Sequence, residues 1–324
     1  MQKVQPSGPI TTPRSGESPR VRRAPAYDIE QARAFIPVMP EIRRVIDGIP
    51  AGEALVAFGA ARPSAAAMAR LEAEKNALLA DGHHAAFVMI DLATRAGVAY
   101  NIGARFCTQS TIKAIYVGAL LESRPEALDE NGRFMREAIL YSSNEAYEGL
   151  RAQYGADCLR AWCREAGVDE RMADPPYPRD RTARDMLKLW TRLYCFLNGE
   201  QDPRNFAAYY ADSIASATGE RLGGRYPVQT KAGWENGLPE NADYDPAAEI
   251  PLAYRDGDPL NDECAINDTG IVYTERGPYI FIIYSDWPFG IFRNYTTPNP
   301  LLGLAGAMCE AQAELGGEGE RAFF

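Results

Sequence analysis

One stretch, STIKAIYVGALLE at residues 110–122, limits the folds open to this chain more than any other. Ile112, Ile115, Tyr116, Val117, Ala119 and Leu120 leave almost no polar face, so the spacing predicts a helix enclosed by protein on every side. Only a domain with layers around such a helix can bury it, and 324 residues with 46% hydrophobic side chains suffice to build one. Lys113 falls in the first turn of this helix, where an ammonium is not buried without a reason. In most buried helices a lysine would run its stem out to water. Here Ser110 lies three residues earlier, on the same helical face. Desolvation lowers the pKa of a lysine, and a neutral amine can take the serine proton and make its Oγ a nucleophile. Helix N-terminal amides would then face the developing oxyanion.

Composition removes most competing chemistries. The formal net charge is -10, which argues against a nucleic-acid binder. The two histidines, His83 and His84, are adjacent, so HExxH metal sites are excluded and a Ser-His-Asp triad has few ways to form; both read as turn and strand-edge residues. Six scattered cysteines without a CxxC pair fit neither a disulfide scaffold nor a zinc ribbon, and read as small buried hydrophobes. No metal and no cofactor is expected. No run of 18 apolar residues occurs, so no membrane span is expected either.

Residues 1–25, rich in proline and arginine, read as a flexible tail. Arg22-Arg23 is followed by charge and not by an apolar segment, so no export signal is legible there. Residues 26–61 read as an N-terminal extension of unassigned role, and 62–324 as the catalytic domain. Ser64 caps a helix running to about Leu79, and residues 86–92 and 98–102 form a hairpin. Residues 133–150, 155–166 and 181–198 read as helices, 227–234, 265–275 and 279–287 as strands, and 300–315 as a last helix. Strands at both ends with helices between them imply an α+β fold: an antiparallel sheet flanked by the terminal helices, plus an all-helical subdomain.

Ser-x-x-Lys alone is a modest signal. Eleven serines and five lysines in 324 residues produce it by chance in about one chain in six. Two further segments strengthen it. AILYSSNEAYEGL places Ser142, Ser143 and Asn144 at a turn or helix start, where a hydroxyl and a carboxamide can aim at one cleft, although helix capping alone would explain the residue types. TKAGW places Lys231 in a strand followed by Ala232 and Gly233, and the glycine would let a ligand approach the backbone, although a surface lysine beside a bulge is the plainer reading.

In this order the three segments resemble the Ser-x-x-Lys, Ser-Asp-Asn and Lys-Thr-Gly motifs of class A β-lactamases and penicillin-binding proteins. IDLATRAGVAYNIGARFCTQSTIK, RDRTARDMLKLW and NDTGIVYTERGPYIFIIYSD are similar to the surrounding elements of that superfamily, over roughly residues 62–315. The resemblance implies an extracytoplasmic, monomeric serine hydrolase acting on a β-lactam or a D-Ala-D-Ala-like peptide. Ser110 would be acylated, with Lys113 as its base and Ser142 passing a proton to the leaving nitrogen. Asn144 would hold the substrate amide, Lys231 would attract a substrate carboxylate, and the N–H groups of Ser110 and Trp234 would form the oxyanion hole.

Several positions depart from that pattern. Ser143 stands where an aspartate is usual, and Ala232 replaces a carboxylate-binding hydroxyl, for which Thr230, two residues away, is an imperfect substitute. No Glu-x-x-Leu-Asn segment lies between Asn144 and Thr182, which leaves Glu165, Asp169, Glu170, Asp174 and Asp180 as candidates for a deacylating carboxylate by location only. Tyr141 as an alternative base fails on register, because Ser143 and not asparagine follows two residues later. A penicillin-binding protein-like amidase or esterase with slow deacylation, and a silent binding module of the same fold, stay open.

Overall fold

The apolar helix sits where the layers of the protein meet. The computed structural model describes residues 27–178, 180–200, 206–236, 264–287 and 299–315. Its central sheet is antiparallel throughout, with β1 (Val56–Phe58), β2 (Ala85–Asp91), β3 (Gly97–Tyr100), β6 (Val228–Asn236), β7 (Cys264–Thr274) and β8 (Gly277–Ser285) in the order β1-β3-β2-β8-β7-β6. The two ends of the chain meet inside it, where β2 pairs with β8 in a register that sets Val88 against Ile282. A separate two-stranded ladder joins β4 (Arg105–Phe106) to β5 (Arg181–Thr182).

Alternation of side chains divides the core into two layers. Phe87 and Met89 pack with Leu71 and Leu78 of α3 (Ala65–Leu78) and with Leu304 and Met308 of α11 (Leu301–Ala313). Val88 and Ile90 point the other way, toward α4 (Ile112–Ser123) and α8 (Ala183–Asn198). Every residue of α4 from Ile112 to Leu121 is buried, as its lack of a polar face requires. It packs against α5 (Ala127–Leu140), α7 (Asp157–Ala166) and α8. Gly118 makes the approach possible: a Cβ there would sit 2.6 Å from Leu193 Cδ1 and 2.9 Å from Trp162 Cη2. The expected α+β architecture, with terminal helices on one face and a helical subdomain beyond the other, is the one observed.

Two expected helices have different bounds. The apolar helix starts at Ile112, and Ser110 occupies a single 3-10 turn, Gln109–Thr111, that leads into it. The stretch 133–150 is two helices, because Ser142 adopts a left-handed φ of 58° that a right-handed helix cannot continue through. The second, α6 (Asn144–Tyr154), starts afresh with Ser143 as its cap, whose Oγ accepts from Ala146 N at 3.1 Å. Residues 27–61 supply the edge strand β1 and are pinned elsewhere, with Tyr27 stacked on Tyr273 at 3.9 Å and Tyr194 Oη donating to Ala32 O at 2.9 Å. The tail read over 1–25 lies outside the described residues. Among those described, no helix is long and apolar enough to cross a membrane. Among the described residues Cys107, Cys158, Cys163, Cys195 and Cys309 form no disulfide.

Candidate active site

The turn that carries Ser110 is fixed from three directions. Thr108 donates its N–H and its Oγ1 hydroxyl to Pro178 O, each at 3.0 Å, which ties it to the loop before α8. Asn267 Nδ2 of β7 donates to Cys107 O at 2.8 Å, and Thr111 Oγ1 closes the turn onto Thr108 O at 2.6 Å. Gln109 takes a φ of 47°, which leaves Ser110 half-buried at the top of α4. Strand β6 runs so close to this turn that a side chain on Gly233 would begin 2.8 Å from Ser110 N. The glycine is needed for that contact and not for its φ.

Two buried lysines converge on Ser142. Lys113 is 0% exposed and does not run out to solvent. Its Nζ donates to Ser142 O at 2.7 Å and to Asn144 Oδ1 at 2.6 Å, with the rings of Tyr177 and Tyr147 at 5.5 and 5.7 Å. Burial lowers its pKa to about 7, and the negative Glu148 offsets this only in part. Lys231, also 0% exposed, donates to Ser142 Oγ at 2.8 Å and to Ala232 O at 2.7 Å. Burial pushes its pKa well below the lysine range, Lys113 pushes it further, and Asp268 opposes both. Ser110 Oγ makes no hydrogen bond to another described residue, so the third N–H position of Lys113 is not spent on it in this state.

Gln109, Ser110, Ser142, Asn144, Tyr177, Trp234 and Glu235 line a cleft with about 440 Å³ of empty space that includes open solvent. A buried lysine with a lowered pKa next to a serine turn, with a second serine held by a second lysine, is an arrangement that can move protons without histidine. The chain matches the family model described as "Beta-lactamase enzyme family" over residues 131–309. The chain belongs to the β-lactamase enzyme family. Among solved structures it is similar to the β-lactamase from Streptosporangium roseum, at 18% identity and a TM-score of 0.54, covering 78% of this chain and 100% of that one. It is likewise similar to the β-lactamase from Desulfarculus baarsii DSM 2075, at 19% identity and a TM-score of 0.51, covering 77% and 97%. None of the curated proteins matches it.

The β-lactamase family match begins after Ser110 and Lys113, so those two enter the site through geometry and the Ser-x-x-Lys spacing. Ser110, Ser142, Asn144 and Trp234 reach the cleft wall, whereas Lys113 and Lys231 lie beneath it. Ala232 is 2% exposed and Thr230 is fully buried, so neither is on the wall. The loop carboxylates are engaged elsewhere. Glu165 pairs with Arg192 at 2.8 Å, Asp169 with Arg171 at 2.6 Å and Glu170 with Arg164 at 2.6 Å. Asp174 pairs with Arg160 at 2.6 Å and Asp180 with Arg105 at 2.5 Å, and none of the five lines the cleft. Tyr141 is exposed and outside it.

Sequence reasoning passed over Tyr177, which covers Lys113 and donates its hydroxyl to Glu148 at 3.2 Å. Nothing in PPYP marks that tyrosine out. It also passed over Asn267 and Asp268, an amide and a carboxylate inside a mostly apolar strand, which was a legible signal. His83 and His84 both place Nδ1 on Asp286, at 3.3 and 2.8 Å, at the mouth of β2 and far from this chemistry in the chain. Among the described residues no group of histidine, cysteine and carboxylate side chains is arranged to hold a metal.

Proposed function

We propose that this β-lactamase-like hydrolase works through a class A-like acyl-enzyme formed on Ser110. In the first step Ser110 Oγ attacks the cyclic amide carbonyl while its proton passes to neutral Lys113 Nζ. The tetrahedral oxyanion is met by the N–H groups of Ser110 and Trp234. The C–N bond then breaks, Ser142 Oγ–H gives its proton to the departing nitrogen, and the lysines restore it. Water next attacks the Ser110 ester, giving up a proton to the base as the acid product leaves and Ser110 is regenerated. Asn144 fits this scheme as the amide-holding residue, since its Oδ1 is taken by Lys113 and its Nδ2 remains for a substrate carbonyl.

The observation that carries the reading is the buried Lys113, within one turn of Ser110 and bonded to the Ser142–Asn144 segment. A second reading, a penicillin-binding protein-like amidase that deacylates slowly, is favoured by the five loop carboxylates being held in arginine pairs away from the cleft. Intact-mass measurement after brief exposure to a β-lactam, as free acid and as methyl ester, separates the two. A transient adduct on Ser110 supports the hydrolase, and a persistent one supports the slow amidase. No adduct with either compound leaves only a silent module of this fold.

A further inference from the structure

Lys113 is wholly buried, yet it lies within one turn of a serine that lines the cleft, so a group at the cleft must keep water from its amine. Two of its neighbours are the rings of Tyr147 and Tyr177, at 5.7 and 5.5 Å from Nζ. Tyr147 is buried in the core, whereas Tyr177 is half-buried and lines the cleft. Of the two rings, Tyr177 alone meets both the amine and the cleft. It is fixed from both sides along the chain. Pro176 O accepts from Tyr147 Oη at 2.8 Å, and Pro178 O accepts from Thr108 N and Oγ1, in the residue that leads into the Ser110 turn. The Tyr177 hydroxyl in turn donates to Glu148 Oε1 at 3.2 Å. Glu148 is exposed and stands one turn after Asn144 on the same face of α6, so its carboxylate flanks the asparagine that accepts from Lys113.

Tyr177 and Glu148 act on the amine in opposite directions. A ring that withholds water disfavours the ammonium, while a nearby carboxylate favours it. Among the described residues the other charge acting at this place is Lys231 on β6, which disfavours a second ammonium beside it. Glu235 acts on the Tyr177 phenol from the cleft wall, and Arg151 of α6 turns away to donate to Ala173 O and Asp174 O at 2.7 and 3.1 Å. Burial pushes both phenols up, so Tyr147 and Tyr177 stay neutral wherever the lysine titrates.

We propose that Tyr177 is a positioning residue that keeps cleft water from the Lys113 amine, and that Glu148, bonded to its hydroxyl, supplies the opposing charge. This rests on Ser110 acylation by way of Lys113, as set out above. The test is the pH profile of Ser110 labelling by a neutral fluorophosphonate, read by intact mass on the full chain and taken relative to each protein's own plateau. Tyr177→Ala should move the midpoint up by about one unit, so that the relative rate at pH 7 falls about fivefold. Tyr177→Phe keeps the ring and should hold the midpoint within about 0.3 unit of the wild type. Glu148→Gln should move it down by about half a unit, because the lost carboxylate is exposed and screened, so that the relative rate at pH 6 rises roughly twofold. Residues that only supported the fold would change the rate or the thermal melt without moving the midpoint in opposite directions. If Tyr177→Ala does not fold, Glu148→Gln, at an exposed position, decides alone. A midpoint that stays in place or moves the other way in either variant, or that rises as far in Tyr177→Phe as in Tyr177→Ala, overturns the proposal and leaves the serine hydrolase intact. No labelling of the wild type overturns the hydrolase reading and this proposal with it.

Discussion

Acylation of Ser110 should follow the neutral fraction of Lys113, which makes pH the most direct perturbation of the proposed mechanism. A lysine with its pKa lowered to about 7 is half neutral at that pH. One unit below, about a tenth of it is neutral, and one unit above, about nine tenths. The acylation rate should therefore climb roughly ninefold between pH 6 and pH 8 and then level off. The sign follows from the base being the uncharged form: burial disfavours the ammonium, so raising pH through 7 switches the base on. A lysine at its ordinary value would still be climbing tenfold per unit at pH 9. The assay is the rate of labelling by a fluorophosphonate, which carries no ionisable group to confuse the profile, across pH 5.5–9. Lys113→Ala should lower the plateau by about 10²–10⁴-fold and abolish the inflection, and Ser110→Ala should abolish labelling. A wild-type rate that is flat across this range, or an inflection that survives in Lys113→Ala, would refute the assignment of Lys113 as the base.

Two further outcomes follow from distances in the site. Gly233→Ala should slow Ser110 labelling by about tenfold or more, because its Cβ would begin 2.8 Å from Ser110 N and one of the two must move; a thermal melt alongside the labelling rate shows whether the effect is local. Replacing Glu165 or Glu170 by glutamine should change β-lactam turnover less than about twofold, because both are paired with arginine away from the cleft; a hundredfold loss in steady-state hydrolysis would mean that one of them reaches the ester.

The elements that the sequence specified best are those whose pattern is local. Helix α4 was legible because ten consecutive residues are buried, and the hairpin of β2 and β3 because its strands alternate between two cores. The break at Ser142 was legible only in part: Ser142, Ser143 and Asn144 read as a turn or helix start, while the helical reading of 133–150 ran through them. Residues 133–150 contain no proline, and the left-handed φ at Ser142 goes with tertiary bonds from Lys113 and Lys231 that no local rule contains. Helical spacing brought Ser110 and Lys113 together in the sequence, but for the same reason Ser142 joined them only through resemblance to a family. The role of the loop before α8 was the least legible part. Its carboxylates attracted attention as chemical groups, while its contributions to the site are a backbone oxygen, Pro178 O, and an aromatic ring, Tyr177. Neither follows from residue type.

Ser142 is the residue on which the proton economy of the proposed reaction turns, because both lysines reach it. Both its oxygens accept from lysine, the carbonyl from Lys113 and Oγ from Lys231. A hydroxyl that accepts from one side keeps its own hydrogen for the other, and the Ser142 side chain is part of the cleft wall. Its O–H is thus available to a departing nitrogen without any prior rearrangement. The depression of Lys231 has Lys113 among its causes, whereas that of Lys113 arises from burial alone, with Glu148 opposing it. The two ammonium charges disfavour one another, so charging one of the pair keeps the other neutral. The proton that Lys113 takes from Ser110 is the one that must restore the Ser142 hydroxyl, and Lys231, whose Nζ lies on Ser142 Oγ, is the group through which it arrives.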